Sequence, residues 1–332
     1  MYGESLRYKK TRNTIGNYLT PFAILGAPKT STSTIVALCN AHPRVLALFE
    51  IDFTQGPDFN RNAEFTARYP EARKLFAASL PLGDALGEVA AILRAQGHAF
   101  DLVGTKIPVL DAERLRDVAM KTLFVTRDVR TWAAKSRIYT LFMSGGANAV
   151  PVLGAYVGYL VRSFRMRDVV RLRLEDMLRD PDAFARRIGA FFGLDGEGFL
   201  RWWTQGPRAA DDPKAFPWTN GHRSAFLPPV VNDTQVTLEP HAVWDRLLPI
   251  FEKYFAAVDG RFEDAEIERD LAAIDHLCVN TQATFEQLFR TVNSARLHDV
   301  QPKDGRFVAT SYEVLVKEPG KPAQLKVAGA KS

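Results

Sequence analysis

Lys29 stands at the head of five consecutive hydroxyl residues, Thr30 to Thr34, just after the apolar run Phe22 to Leu25 and the turn residue Gly26. That order predicts a buried strand, a loop and a helix: glycine permits the turn, hydroxyl residues cap a helix start, and apolar periodicity resumes beyond them. Amide N–H groups at such a helix start, with an ammonium beside them, are suited to an anion, above all a phosphate. A Walker A loop needs G-x-x-x-x-G-K-(S/T). Here the second glycine is missing and Lys29 comes three residues after Gly26, which disfavours an ordinary P-loop NTPase. Further charged groups stand at the ends of other apolar runs: Glu50 and Asp52 in Arg44 to Phe53, Lys106 in Asp101 to Val109, and Arg127 after Thr122 to Thr126. Ligands of open α/β sheets lie outside the carboxyl ends of the strands, so carboxylates placed there can face the same crevice as the phosphate loop. An Arg adds a planar fork of donors suited to a second phosphate.

The elements that must hold these groups are legible from breakers and periodicity. Helices are expected over Ala85 to Arg94, Val152 to Phe164 and Val243 to Phe255, a strand over Val169 to Leu174, and a helix from Asp180-Pro181 to Gly193. The chain has 332 residues, 46% hydrophobic and 24% charged, enough for a full core and one main domain with an appendage. A net charge of +5 without a long Lys/Arg block suits an anionic co-substrate, and an anionic acceptor, better than a nucleic-acid track. Two cysteines, Cys39 and Cys278, make neither a disulfide framework nor a Cys-rich zinc site and suit a reducing compartment. The first residues lack an apolar signal core, and the longest apolar stretch, Ala149 to Val161, is interrupted by Gly154 and Gly158. It falls short of the ~20 residues that span a bilayer, so a cytoplasmic protein is expected.

The order G-x-P-K-x-x-(S/T)-(S/T), with Gly26, Pro28, Lys29, Thr32 and Ser33 on its positions, resembles the 5′-phosphosulfate loop of sulfotransferases that use 3′-phosphoadenosine 5′-phosphosulfate (PAPS). His42-Pro43 followed by Glu50 and Phe53 resembles the second strand of glycan sulfotransferases of the heparan type, which implies Glu50 as catalytic base. The spacing differs from that pattern by one residue, and Asp52 is the alternative. The stretch around Lys106 is similar to the K-(S/T)-P segment of the glycan enzymes and lacks the histidine of the cytosolic ones. Lys121 to Ile138 resembles the 3′-phosphate motif, implying Arg127 and Ser136 as ligands; the usual spacing falls on Lys135, which is the alternative. Thr219 to Phe226 resembles the loop that closes over the 3′-phosphate, implying Arg223 as a second phosphate arginine.

The resemblance covers roughly Tyr18 to Tyr254 and implies an α/β fold with a central parallel sheet and helices on both faces. It implies PAPS as co-substrate, bound by Lys29, Thr30, Ser31, Thr32, Ser33, Arg127, Ser136 and Arg223, and no metal. Sulfuryl transfer to a hydroxyl or amine follows, with Glu50, Lys29 and Lys106 as the catalytic set and a small molecule or glycan as acceptor. Beyond the domain 1–259 the appendage is expected as a long helix over 260–300 and a strand with a flexible tail over 301–332. Ile267, Leu271, Ile274, Cys278, Thr281, Phe285, Leu288 and Val292 recur in steps of four and three, a heptad seam that would lie on the catalytic body or, through 267–295, meet a second copy or a partner protein. Two other readings compete: a nucleotide-dependent kinase of the P-loop group, requiring Mg²⁺, and a non-catalytic partner-binding protein on a degenerate form of the fold.

Overall fold

The computed structural model describes residues 19–78, 80–108, 120–133, 148–200, 212–215, 232–303, 306–317 and 324–329. In chain order the described elements run β1 (Thr20–Gly26), α1 (Thr32–Ala41), β2 (Val45–Phe49), α2 (Arg61–Arg68), α3 (Arg73–Ala77), α4 (Leu82–Ala95), β3 (Leu102–Pro108), β4 (Lys121–Thr126) and α5 (Val129–Ala133). There follow α6 (Val150–Arg162), β5 (Val169–Arg173), α7 (Leu174–Arg179), α8 (Pro181–Phe192), α9 (Glu197–Leu200), β6 (Asn232–Leu238), α10 (Ala242–Ala256) and α11 (Asp264–Asn280). The last are α12 (Phe285–Leu288), β7 (Phe289–Lys303), β8 (Arg306–Lys317) and β9 (Gln324–Gly329).

β1 to β5 form a parallel sheet in the order β2-β3-β1-β4-β5. Alternate residues of each strand leave the sheet on opposite sides, as the period of two requires. Phe22, Ile24, Val45, Ala47 and Phe49 join a core with Ile35 and Leu38 of α1 and with Phe184 and Ile188 of α8. Ala23, Leu25, Leu46 and Leu48 join a second core with α4, α6, α10 and α11. The expected α/β architecture, a central parallel sheet with helices on both faces, is therefore what the chain adopts. Because β1 sends its chain towards β2 and β4 towards β5, the strand order reverses between β1 and β4, opening a crevice at their carboxyl ends.

The C-terminal segment departs from expectation. α11 ends at Asn280, Thr281 is extended, a capping box between Thr284 and Gln287 starts the short α12, and the chain is in a strand from Phe289. The apparent seam thus ran across three different elements, which a repeat read without breakers cannot register. Within α11, Ile267, Leu271, Ile274 and Leu277 are buried in the core of the same chain. Its face lies on α6, where a Cβ at Gly154 would sit 2.2 Å from Cys278 Sγ, so glycine permits the approach. Of the two placements expected for the seam, on the catalytic body or against a partner through 267–295, its helical part takes the first. β6, β7, β8 and β9 form an antiparallel sheet in that order, so Gln324–Gly329, expected within a flexible tail, pairs with β8. Among the described residues no helix is long and apolar enough to cross a membrane.

Candidate active site

The loop between β1 and α1 is built around close approach. A Cβ on Gly26 would stand 2.6 Å from Thr32 Cγ2, 2.7 Å from Thr30 Oγ1 and 2.8 Å from the Val125 carbonyl of β4, so only glycine fits. Thr30 folds back on Ala27, its hydroxyl donating to that carbonyl at 2.8 Å. Lys29 and Ser31 both take left-handed backbone angles, φ 71° and 73°, and Ser31 is the N-cap of α1 without making a side-chain cap. The first turn of α1 carries no acidic residue either. An uncapped helix start with no acidic residue in its own first turn, beside Lys29, is a donor set that fits a phosphorylated anion. Trp132 of α5 secures the loop from across the crevice, its Nε1 donating to the Pro28 carbonyl at 2.8 Å.

Glu50 follows β2 directly and Lys106 lies opposite Phe49 on β3, so the sheet register brings them together. Lys106 Nζ donates to Glu50 Oε1 at 2.6 Å and to Ser33 Oγ of α1 at 3.3 Å, and stands 4.1 Å from the Phe49 ring centroid. Lys106 thereby ties the carboxylate to the start of α1. Its side chain is only 6% exposed while that of Glu50 is 33% exposed. Burial pushes the Lys106 ammonium below the usual lysine range, the Glu50 carboxylate opposes that shift, and Lys29 and Arg61 reinforce it. Glu50 itself sits at φ 58° and Asn60 at φ 42°. Four of the five described non-glycine residues with positive φ, Lys29, Ser31, Glu50 and Asn60, border this crevice or the cavity beside it. Each such strain costs about 1–3 kcal/mol, and strain of this kind clusters at functional sites.

Asp52 is engaged differently. Its Oδ1 accepts from the Thr54 N–H at 3.0 Å and from the Thr54 hydroxyl at 2.6 Å, closing a local turn. Asn62 of α2 holds the same loop by donating to the carbonyls of Asp52 and Gly56 at 2.8 and 2.9 Å.

Arg127 follows β4 on the other side of the crevice and is 3% exposed. Its Nε donates to Thr131 Oγ1 at 2.8 Å, and its N–H donates to the Tyr156 hydroxyl at 3.0 Å. Asp128 is held by Arg130, whose Nε and Nη2 donate to it at 3.0 and 2.7 Å. Glu175 of α7 accepts from the Asp128 N–H at 3.0 Å; burial raises its pKa, while that N–H favours its charged form. Trp132 stacks on Tyr156 with ring centroids 3.9 Å apart, and both rings are buried in the core that backs Arg127. Ser136, Lys135 and Arg223 lie outside the described residues.

The structure thus brings Lys29, Thr30, Ser31, Thr32, Ser33, Glu50, Lys106 and Arg127 to the carboxyl edge of one sheet. Neither described histidine near these strands can replace a carboxylate as base, since His42 lies at the far end of α1, buried against Phe199, and His98 precedes β3, both at the opposite edge. His222 lies outside the described residues. Sequence reasoning passed over Thr131, Trp132 and Tyr156, whose partners are 4, 104 and 29 residues away. Only the first had a legible signal, a Thr one helical turn beyond Arg127.

No protein-family model matches the chain, and no curated protein matches it. Among solved structures it is similar to the sulfotransferase domain of the olefin synthase of Synechococcus PCC 7002, at 15% identity over 75% of this chain and 98% of that one, with a TM-score of 0.47. It is also similar to sulfotransferase STF9 from Mycobacterium avium, at 15% identity over 74% of this chain and 78% of that one, with a TM-score of 0.40.

Proposed function

We propose that this protein is a sulfotransferase that moves the sulfuryl group of PAPS to a hydroxyl, or an amine, of a saccharide or glycolipid. The observation that carries the reading is the Lys106–Glu50 contact of 2.6 Å beside the uncapped start of α1. A carboxylate that can take a proton stands there within reach of a place for a phosphorylated leaving group. PAPS supplies an activated sulfuryl group on a 5′-phosphate. Glu50 accepts the proton of the acceptor hydroxyl as its oxygen bonds to sulfur. Lys29 and the N–H groups of the loop offset the charge gathering on the departing 5′-phosphate oxygen. Lys106 holds Glu50 in place and adds a second positive charge, and Arg127 receives the 3′-phosphate with Ser136, or Lys135, and Arg223. Glu50 is assigned as base over Asp52, whose carboxylate closes the Thr54 turn.

The non-catalytic reading loses one of its supports, because the heptad face of α11 is buried in the chain's own core. Calorimetry with 3′-phosphoadenosine 5′-phosphate, with and without EDTA, tests the proposal together with transfer from a labelled donor. Binding indifferent to EDTA and transfer to an acceptor are expected. A requirement for Mg²⁺ would favour the kinase, and binding without any transfer across acceptor classes would favour the partner-binding protein.

A further inference from the structure

Beside Glu50 opens a cavity of about 590 Å³. Its lining holds the cations Arg61 and Lys106 and the carboxylates Glu50, Asp52 and Glu64, and these groups are already engaged with one another or with the loop. Lys106 meets Glu50 at 2.6 Å, Arg61 meets Glu64 at 2.6 Å, and Asp52 takes the N–H and hydroxyl of Thr54. An anionic group entering here meets three carboxylates and must compete with Glu64 for Arg61 and with Glu50 for Lys106. A cationic group must compete with Arg61 and Lys106 for carboxylates that are already paired, with Lys29 close enough to act on Lys106 as well. A neutral hydroxyl has neither difficulty, since it accepts from the guanidinium and donates to the carboxylate of the same pair.

Two further features of the wall fit that ligand. Phe59 lines the cavity and is 48% exposed, an apolar ring that can lie against the C–H face of a sugar. Asn60, strained at φ 42°, occupies the N-cap of α2 without its side chain capping the helix, and its amide carries both donors and an acceptor.

We propose that this cavity is the subsite for an uncharged, polyhydroxylated acceptor of saccharide type, with Phe59 as its platform and the Arg61–Glu64 pair and Asn60 reading its hydroxyls. The net charge of +5 suits an anionic acceptor, but the paired walls of the cavity decide against one. The inference rests on the role given to Glu50 above, and its test is kept separate from that role by omitting the nucleotide. Saturation-transfer NMR and calorimetry on the full chain would use glucose, maltose, cellobiose and lactose as neutral probes, glucuronate and galacturonate as anions, and glucosamine as the cation.

At least one neutral saccharide should bind, more tightly than the uronates or glucosamine. Phe59→Ala should weaken it about tenfold, the value of a lost aromatic contact. Glu64→Gln should weaken it and admit uronates, because Arg61 then lacks its carboxylate. Affinity for 3′-phosphoadenosine 5′-phosphate should stay unchanged in both variants. The proposal is overturned if none of the neutral sugars binds, if a uronate or glucosamine binds tighter, or if Phe59→Ala is without effect. Saccharide binding with no nucleotide binding would instead overturn the sulfuryl-transfer reading and leave the cavity assignment standing.

Discussion

At the β1–β4 end of the crevice the groups on offer are main-chain N–H donors of a strained loop and a buried guanidinium held by Thr131. At the β2–β3 end they are side chains in ion pairs, one carboxylate of which is a third exposed. Backbone donors cannot be removed by a side-chain substitution, and they suit a ligand part that is always the same. Paired side chains are easily altered and suit the part that varies between relatives. The difference teaches that damage at one end should change nucleotide binding, and damage at the other should change turnover or acceptor choice.

The substitution expected to separate the two ends most sharply is Glu50→Gln, which keeps size and hydrogen bonding but removes basicity. Turnover should fall by about 10² to 10⁴ while calorimetric affinity for 3′-phosphoadenosine 5′-phosphate survives. Asp52→Asn is the matching control, and if it rather than Glu50→Gln loses turnover, the base is Asp52. Lys29→Ala comes next, costing on the order of 10²-fold in turnover with thermal unfolding little changed. Wild-type turnover in this variant would remove the loop from the chemistry.

Arg127→Ala should weaken binding of the 3′-phosphorylated nucleotide by roughly 1.5–3 kcal/mol, and binding of adenosine 5′-phosphosulfate far less. Equal losses for both ligands would mean that Arg127 serves the fold. Gly26→Ala should lower stability by about 1–3 kcal/mol in denaturant titration, since the added methyl meets Thr32, Thr30 and the Val125 carbonyl. It should also weaken the nucleotide; unchanged stability would show that the loop yields more easily than its contacts imply.

The smallest expected effect is on pH dependence. Burial holds Lys106 below the usual lysine range, so its charge is present at low pH and lost as pH rises through that lowered value. kcat/KM should therefore decline on the alkaline side earlier than an ordinary lysine would dictate. Lys106→Arg, which stays protonated, should shift that decline upward even if its overall rate is reduced. An alkaline limb identical in both proteins would assign it to another group.

Much of the first half was legible because its signals are local. Gly26 and the hydroxyl run mark the loop, and Asp180 caps α8 by accepting from the Ala183 N–H at 2.8 Å, as its position before Pro181 suggested. Gly193, at φ 69°, ends that helix in the left-handed conformation that glycine tolerates. The end of α11 was not legible, because Phe285, Leu288 and Val292 kept the heptad spacing after the helix had stopped at Asn280. Arg61 and Glu64 were passed over because an i, i+3 ion pair on a helix ordinarily signals a solvated face.

By itself, then, the sequence determined what depends on neighbours along the chain: the strand, loop and helix around Lys29, the caps of α8, and the placing of Glu50, Lys106 and Arg127 at strand ends. Tertiary structure alone decided the strand order β2-β3-β1-β4-β5, the pairing of Lys106 with Glu50 across 56 residues, the Trp132 hold on Pro28, and the docking of α11 on α6. These depend on which strand lies beside which and on where a burial face finds its partner. Such contacts are selected by packing the whole core, and no local period or turn residue encodes them.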